Sequence, residues 1–373
     1  MGEMTNVAMK LRDEFDGRAV EADLTGTIQR RNFEQMAEHG YLRGPVPTEL
    51  GGLGADIVEN ATAQRALGWG CGSTALTVNM HLFQVGAAAE AYGLSGANEA
   101  PLRNVANDSI ILGSTSAEAV VAGEWDSPTT ATRDGDEYVV NGRKFFFSGS
   151  HVTDIVRVNA MDADTGEILV VAIPMQSRGV SIVDTWDTMG MRSTASNDLI
   201  LEDVRVPLTA IGVRLAADGP AWDPAFSTVI RWFLSGVTGV YLGIADRARE
   251  AAYDAIGTGS NSLHRARPLS DAMIGELEIA HFSASSAFEC GVRRIAEIAD
   301  PIEGLAVAIA MKEASTAASV AVVDHASQLA GGRSFHRRSI LERLVRDVRA
   351  ARFHPPSAPV AQQMIGIAQR KAS

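Results

Sequence analysis

The chain reads as an α+β protein with helical regions at both ends and a small β region between them. Two changes of hydrophobic period and one dipeptide predict this. Helical spacing dominates from Asp13 to about Asn107, a period of two takes over from Ser109 to about Pro207, and helical spacing returns after Pro224. Within the middle stretch, Asn141-Gly142 lies between Tyr138-Val139-Val140 and Lys144 to Phe147, the pattern of a two-residue hairpin. The expected division is an α-helical domain over 1–108, a β domain over 109–215 and a helical bundle over 216–373.

The N-terminal helices are interrupted twice. Gly44-Pro45-Val46-Pro47 removes backbone donors, and Glu49-Leu50-Gly51-Gly52-Leu53-Gly54 is too rich in glycine to stay helical. Small residues dominate from Ala61 to Ala97, which predicts helices that approach closely. Further strands are expected at Ile168 to Pro174, Val180 to Val183 and Leu199 to Val206. After Pro224, the residues Val237, Tyr241, Ile244, Ala248, Ala251 and Ala255 form one apolar stripe. Ala306 to Leu329 forms another after Pro301, and long helices with short breaks pack as a bundle.

With 373 residues, 46% of them hydrophobic, the chain can bury a large core. Its formal charge of −12 repels nucleic acid and anionic membrane surfaces, and no run of Lys or Arg offsets this. No stretch approaches eighteen uninterrupted apolar residues, and the first residues lack the basic-then-apolar pattern of a leader, so a cytoplasmic protein without a membrane span is expected. Cys71 and Cys290 make no disulfide framework, and both read as buried thiols in apolar helices. The histidines lack ligand spacing, so no metal is expected.

Arg346 to Pro356 reads RDVRAARFHPP. Leu341, Leu344, Val345, Val348 and Ala351 give it a helical apolar face, which Pro355 and Pro356 stop. The first proline biases His354 away from the α region, so a histidine stands at a set helix exit. An imidazole held there is a candidate proton donor or acceptor near neutral pH.

Four motifs follow one another along the chain. Val46 to Gly54 is VPTELGGLG, Asn141 to Ser150 is NGRKFFFSGS, Trp186 to Pro207 is WDTMGMRSTASNDLILEDVRVP, and Gln328 to Gly332 is QLAGG. In this order they resemble the acyl-CoA dehydrogenase superfamily: its N-terminal turn, its flavin-facing hairpin, its β-domain signature, and the turn that meets the cofactor of a neighbouring subunit. The resemblance spans residues 46 to 356. It implies a helical N-domain, a middle β-barrel or sandwich and a C-terminal four-helix bundle, with FAD or FMN bound in a homotetramer or homodimer. It places Phe146 and Ser148 where the family has a tryptophan and a threonine against the isoalloxazine, and it assigns Arg192, Gln328, Gly331 and Gly332 to the cofactor. Strand alternation sets Phe146 opposite its neighbours with Ser148 on its own side, pairing a ring with a hydroxyl as a flavin requires.

Two departures bear on the chemistry. An acyl-CoA dehydrogenase removes an α proton with a glutamate, yet at the family's two positions for that base this chain has Pro355 and Ile230. Asp347 and Glu342 read as ion-pair partners of Arg343, Arg346 or Arg349. On the adenosine side, Tyr253 to Pro268 replaces an R-x-x-F-G turn and Met273 stands where a glutamine is expected, so FMN, or reduced flavin from a partner flavin reductase, suits the site as well as FAD.

These departures resemble the superfamily's flavin-dependent monooxygenase branch, which includes dibenzothiophene monooxygenases and amino-sugar nitrososynthases. Lys144 to Gly149 follows its K-x-F-x-S-G pattern, Thr115-Ser116 with Glu118 is similar to the hydroxyl segment lining its flavin site, and His354 stands in place of the carboxylate. His81 lies on a helix where that branch has a second histidine. The resemblance implies a monooxygenase using reduced flavin and O2 on a small apolar or aromatic substrate, with Ser148 and His354 at the oxygen and His81 assisting. The rivals are an acyl-thioester dehydrogenase whose base has moved to Glu276 or Glu278, and a scaffold that has lost the cofactor.

Overall fold

The computed structural model describes residues 2–118, 127–216, 223–257 and 267–372. Five helices come first: α1 (Glu3–Thr25), α2 (Arg30–Glu38), α3 (Ile57–Gly70), α4 (Gly72–Ser95) and α5 (Glu99–Asp108). Eight strands follow: β1 (Leu112–Thr115), β2 (Thr130–Asp134), β3 (Glu137–Phe147), β4 (Ile155–Asp162), β5 (Ile168–Pro174), β6 (Val180–Val183), β7 (Asn197–Pro207) and β8 (Ile211–Leu215). The chain closes with α6 (Pro224–Gly257), α7 (Arg267–Glu297), α8 (Pro301–Ala330), α9 (Ile340–Val348) and α10 (Ala358–Ala372).

The strands form one eight-stranded sheet in the order β6-β7-β3-β2-β4-β5-β8, with β1 beside β4. β1 and β2 lie in tandem along the same edge of β4, both parallel to it. Alternating residues such as Val140, Val156, Val158, Leu169, Val171 and Leu199 build the sheet's own apolar core. The helices share a second core that runs without a break from Met4 in α1 to Ala361 in α10, so the first and last helical segments pack as one body.

The close approach expected from the small residues occurs where α3 crosses α6. A Cβ on Gly239 would lie 2.4 Å from the Ala61 carbonyl oxygen, and one on Gly243 would lie 2.1 Å from that of Arg65, so the backbones touch directly. The helices α6 and α8 are long and apolar enough to cross a membrane by composition, but 83% of the apolar window of α6 and 56% of that of α8 is buried inside the protein. Asp300 caps α8 by accepting the Ile302 N–H at 2.9 Å, with Pro301 in the first turn where no donor is needed.

Two local expectations are corrected. Asn141-Gly142 does not turn the chain: β3 runs straight through it, and the β2–β3 turn lies at Gly135-Asp136. At Asn141-Gly142 the pairing of β3 with β7 shifts register, and the Asn141 side chain closes the bulge by donating to Asp203 Oδ1 at 3.1 Å and accepting the Asp203 N–H at 2.8 Å. Gly142 is there because a Cβ would lie 2.3 Å from Thr129 Oγ1. The second correction is Cys290, which is exposed on α7, whereas Cys71 is buried as expected.

Candidate functional site

Strand β3 ends in a second bulge. Lys144 pairs with Leu199 but Phe147 pairs with Asn197, so β3 has one residue too many, and Phe146 takes it up with φ at +54°. That left-handed residue breaks the strict alternation expected from the sequence. Phe147 turns fully inward, while Phe146 projects outward with 63% of its surface exposed. Beneath them the strand is anchored by a buried ion pair, Lys144 to Glu118 at 2.8 Å, and Glu118 also accepts the Thr129 N–H at 2.9 Å and hydroxyl at 2.6 Å.

Phe146 faces an open groove of about 280 Å³ lined with Phe145, Thr185, Trp186, Thr188, Ser196 and Asp198. Its ring stands edge-on to Trp186, with centroids 5.9 Å apart at 89°. The opposite wall is held by its own polar contacts. Asn197 Oδ1 accepts the Thr185 and Trp186 N–H groups at 3.1 Å each, the indole N–H donates to the Met191 carbonyl at 3.0 Å, and Thr185 Oγ1 donates to Asp198 at 2.8 Å.

Ser148, just past the bulge, lies 2.8 Å from Ser196 Oγ, which lies 2.7 Å from Thr194 Oγ1. Thr115 donates its hydroxyl to the Phe145 carbonyl at 2.6 Å, and Ser116 beside it is exposed. Ser148, Thr115 and Phe146 are therefore brought together at one end of β3.

The other sequence candidates lie elsewhere. His81 is fully buried in α4 with both ring nitrogens engaged: Nε2–H donates to the Leu42 carbonyl at 2.6 Å, and Nδ1 accepts the Leu112 N–H at 3.1 Å. Burial lowers its pKa to about 4, so it is a neutral bracket between α4 and β1 with no nitrogen left for a substrate. Arg192 spends its guanidinium on the Asp23 and Thr188 carbonyls, at 2.9 and 3.2 Å, and so steadies the groove wall from behind. Gln328, on the last turn of α8, and Gly332 are exposed and Gly331 between them is half-buried; none of the three lines the groove of its own chain.

His354 leaves the helix exit in an extended conformation, as the prolines require. Its ring sits between Phe233, at 6.2 Å, and Tyr241, whose hydroxyl lies 2.6 Å from Nε2. Tyr241 is fully buried and, among the described residues, His354 is its one hydrogen-bond partner, so the phenol donates and Nε2 accepts. The ring proton is thereby assigned to Nδ1. Lys312, buried under the turn, donates to the His354 and Pro356 carbonyls at 3.1 Å each and to Glu313 at 2.7 Å. Burial and the Lys312 ammonium together lower the His354 pKa to about 4, so the imidazole is neutral at pH 7 and offers one N–H. No hydrogen bond or ring contact joins His354 to Phe146 or Ser148.

Of the two carboxylates considered as displaced bases, one is committed by hydrogen bonds and the other lies at the surface. Glu278 takes two hydrogen bonds from Arg249, at 2.7 and 2.9 Å, and one from Tyr253 at 2.7 Å, while Glu276 sits 62% exposed beside His325. Glu342 pairs with Arg346 as expected. Asp347 does not pair with a neighbouring arginine through a hydrogen bond; its Oδ1 accepts the Met191 N–H at 2.6 Å. Of the adenosine-side segment, residues 258–266 lie outside the described residues, and Met273 packs half-buried against the helical core. Among the described residues no group of three or more histidine, cysteine or acidic side chains is placed to hold a metal.

The groove suits the edge of a flavin ring in its chemistry: Phe146 and the Trp186 indole touch each other edge-on and present apolar surface, and Thr185, Thr188 and Ser196 supply hydroxyls. Sequence reasoning missed Trp186, Thr185 and Ser196 as wall residues and Tyr241 as the partner of His354. Trp186 and Ser196 lay inside a motif already singled out, but only the fold tells which of its residues face outward.

Three family models match the chain in succession: acyl-CoA dehydrogenase N-terminal domain over residues 5–107, middle domain over 118–204 and C-terminal domain over 235–356. The chain belongs to the acyl-CoA dehydrogenase superfamily. It is 28% identical over 361 residues to YdbM of Bacillus subtilis (strain 168), a presumed acyl-CoA dehydrogenase, covering 93% of this chain and 91% of that one. It is also 28% identical to a dibenzothiophene monooxygenase of Rhodococcus qingshengii, over 94% of this chain and 89% of the other. In fold it matches KijD3, solved with FMN and a dTDP-linked keto amino sugar, at a TM-score of 0.88 and 22% identity, covering 99% of this chain and 94% of that one. This superfamily therefore holds relatives of both dehydrogenase and oxygenase type, and the distinction rests on the site's own residues.

Proposed function

We propose that this chain is a flavin-dependent monooxygenase that uses reduced FMN or FAD and O2 on a small apolar or aromatic substrate. The observation that carries this reading is the pairing of Tyr241 with His354: next to Pro355, where the family resemblance expects a carboxylate base, a neutral imidazole is held by a phenol. The neighbouring carboxylates are tied to arginine, lysine or backbone N–H groups. A thioester dehydrogenase needs a free base for the α proton, and an oxygenase does not.

Reduced flavin supplies the two electrons by which O2 is divided between oxygenated substrate and water. The chain's own groups do the rest. Phe146 and Trp186 give the ring an apolar edge, Thr185, Thr188 and Ser196 set a polar rim, and His354, neutral in the helical part of the chain, offers one N–H and takes up no proton near pH 7. This chain would take flavin reduced by a separate reductase, since no residue among those lining the groove is a redox group that could reduce it.

A cytoplasmic homotetramer completes the reading. Ile279 and Phe282, one turn apart on α7, are exposed at 70 and 73%, an apolar pair suited to a second copy. The turn after Gly331-Gly332 exposes Phe335 together with Arg333, Arg337 and Arg338, none of them in an ion pair among the described residues, which suits the anionic part of a neighbour's cofactor.

The test uses the whole protein with FMN, a flavin reductase, NADH and a panel containing dibenzothiophene and indole under isotopically heavy O2. A product carrying the heavy oxygen is expected. Bleaching of bound flavin by an acyl-CoA, with no labelled product, overturns the proposal in favour of the dehydrogenase.

A further inference from the structure

A second cavity, of about 380 Å³, lies among α1, α3, α6 and α7 and shares no residue with the groove beside Phe146. Two guanidiniums stand over Trp69 in its wall: Arg12 of α1 at 4.3 Å from the ring centroid and Arg247 of α6 at 4.7 Å. The indole N–H is buried with no acceptor among the described residues, so these contacts rather than a hydrogen bond hold the ring. The helix α1 reaches α3 this closely because residue 70 is glycine: a Cβ there would lie 2.4 Å from the Arg12 carbonyl oxygen. The charged groups around the cavity are unequally engaged. Arg247 is spent on Asp16, at 2.9 and 3.2 Å, Arg65 on Asp246, at 2.6 and 3.0 Å, and Arg249 on Glu278, at 2.7 and 2.9 Å. His281 Nε2 also lies 2.7 Å from Asp246. The Arg12 guanidinium has no hydrogen bond among the described residues, and the carboxylate nearest to it, Asp13, lies 3.5 Å from Nε and is 75% exposed.

We infer that this cavity is a second ligand site, for a small carboxylic acid whose carboxylate takes the fork of Arg12 and whose apolar body lies along Met9 and Ala66. Met9 stands one turn before Arg12 on α1, and Ala66 one turn before Trp69 on α3, so both apolar groups border the same opening as the guanidinium. Stacking on the indole sets the plane of the Arg12 fork in advance, so little side-chain freedom is lost when a two-oxygen acceptor docks on it. The charges select a monoanion. One guanidinium of the cavity is unspent, and Asp246 and the exposed Glu250, which also line it, repel a second negative charge such as that of a phosphate ester. The space is within the roughly 300 to 1,000 Å³ usual for small-molecule sites. The inference stands apart from the flavin reading, because no residue of the groove takes part in it.

The test is calorimetric titration of the whole protein with benzoate, and with benzamide as the same ring without the charge. The wild type should bind benzoate at one saturable site and benzamide at least about tenfold more weakly, the worth of a charge-assisted hydrogen bond. Arg12→Gln keeps a planar polar end but removes the charge and the fork, and it should weaken benzoate by a similar factor, with circular dichroism confirming its fold. Phe146→Ala, whose change lies in the other groove, should bind benzoate as the wild type does. No saturable binding of benzoate, equal binding of benzamide, or unchanged affinity in Arg12→Gln overturns the inference. Loss of binding in Phe146→Ala overturns it as well, since the acid then occupies the groove beside Phe146. The benzoate and benzamide comparison is made on the wild type alone, so the inference stays testable if Arg12→Gln does not fold.

Discussion

Asp347 Oδ1 accepts the Met191 N–H at 2.6 Å, tying α9 to the turn that leads out of Trp186 and Thr188. Burial raises this carboxyl to about 6, against the pull of Arg343 and of the Met191 N–H. A carboxyl whose pKa rises on folding contributes stability below its unfolded value of 3.8 and loses it as pH climbs through about 6. Asp347→Asn cannot ionise. Relative to wild type it should therefore gain on the order of 2 to 3 kcal/mol between about pH 4 and about pH 7. Urea unfolding of both proteins at the two ends of that window measures it, and a constant difference would show that another group titrates there.

His81 has the opposite sign. Its pKa falls from 6.5 to about 4 on folding, so the unfolded chain takes up a proton first as the solution is acidified. Stability is fully present above pH 6.5 and is lost toward pH 4, by up to about 3 kcal/mol. His81→Gln, which keeps a donor and an acceptor but cannot charge, should flatten this part of the stability profile. A profile of unchanged slope would mean that the imidazole is not buried neutral.

Phe146 is exposed, so its removal costs the fold little and the ligand much. Phe146→Ala should raise the Kd for FMN by about tenfold, the worth of one aromatic contact, with thermal unfolding unchanged. An unchanged Kd would remove the ring from the flavin site.

Lys144 and Glu118 lie buried together, so breaking one side strands the other charge. Lys144→Met should cost about 3 to 5 kcal/mol, and the double change with Glu118→Gln, which removes the stranded charge but still accepts from Thr129, should recover most of it. If the double variant is no more stable than the single one, packing rather than charge accounts for the loss.

How much could be read beforehand varies by element. The strand at Ile168–Pro174 and the apolar stripe of α6 from Val237 to Ala251 appear where their periods place them, because each is set by burial of one face. Asn141-Gly142 was misread because a hairpin turn and a bulge favour the same dipeptide, and what separates them is Thr129 and Asp203, both far away along the chain. Phe146 was read as a strand residue of ordinary alternation, since nothing local announces a positive φ at phenylalanine. That bulge comes from β7, which offers one residue fewer than β3 over the same span.

By itself, the sequence determined the order of helix, sheet and helix, the superfamily, the missing glutamate at Pro355 and Ile230, and the exit of His354 from its helix. The order of elements follows from local periodicity, the exit of His354 from the backbone restrictions of proline, and the superfamily and the missing glutamate from the resemblance of four motifs in register. Only the tertiary structure decided that His81 is a buried bracket, that burial beside Lys312 keeps His354 neutral with Tyr241 against its Nε2, and that Ser148 meets Ser196 and, through it, Thr194. A hydrogen bond has a donor and an acceptor, and which side chain takes which part depends on partners dozens of residues distant, brought within 3 Å only when the domains close on one another.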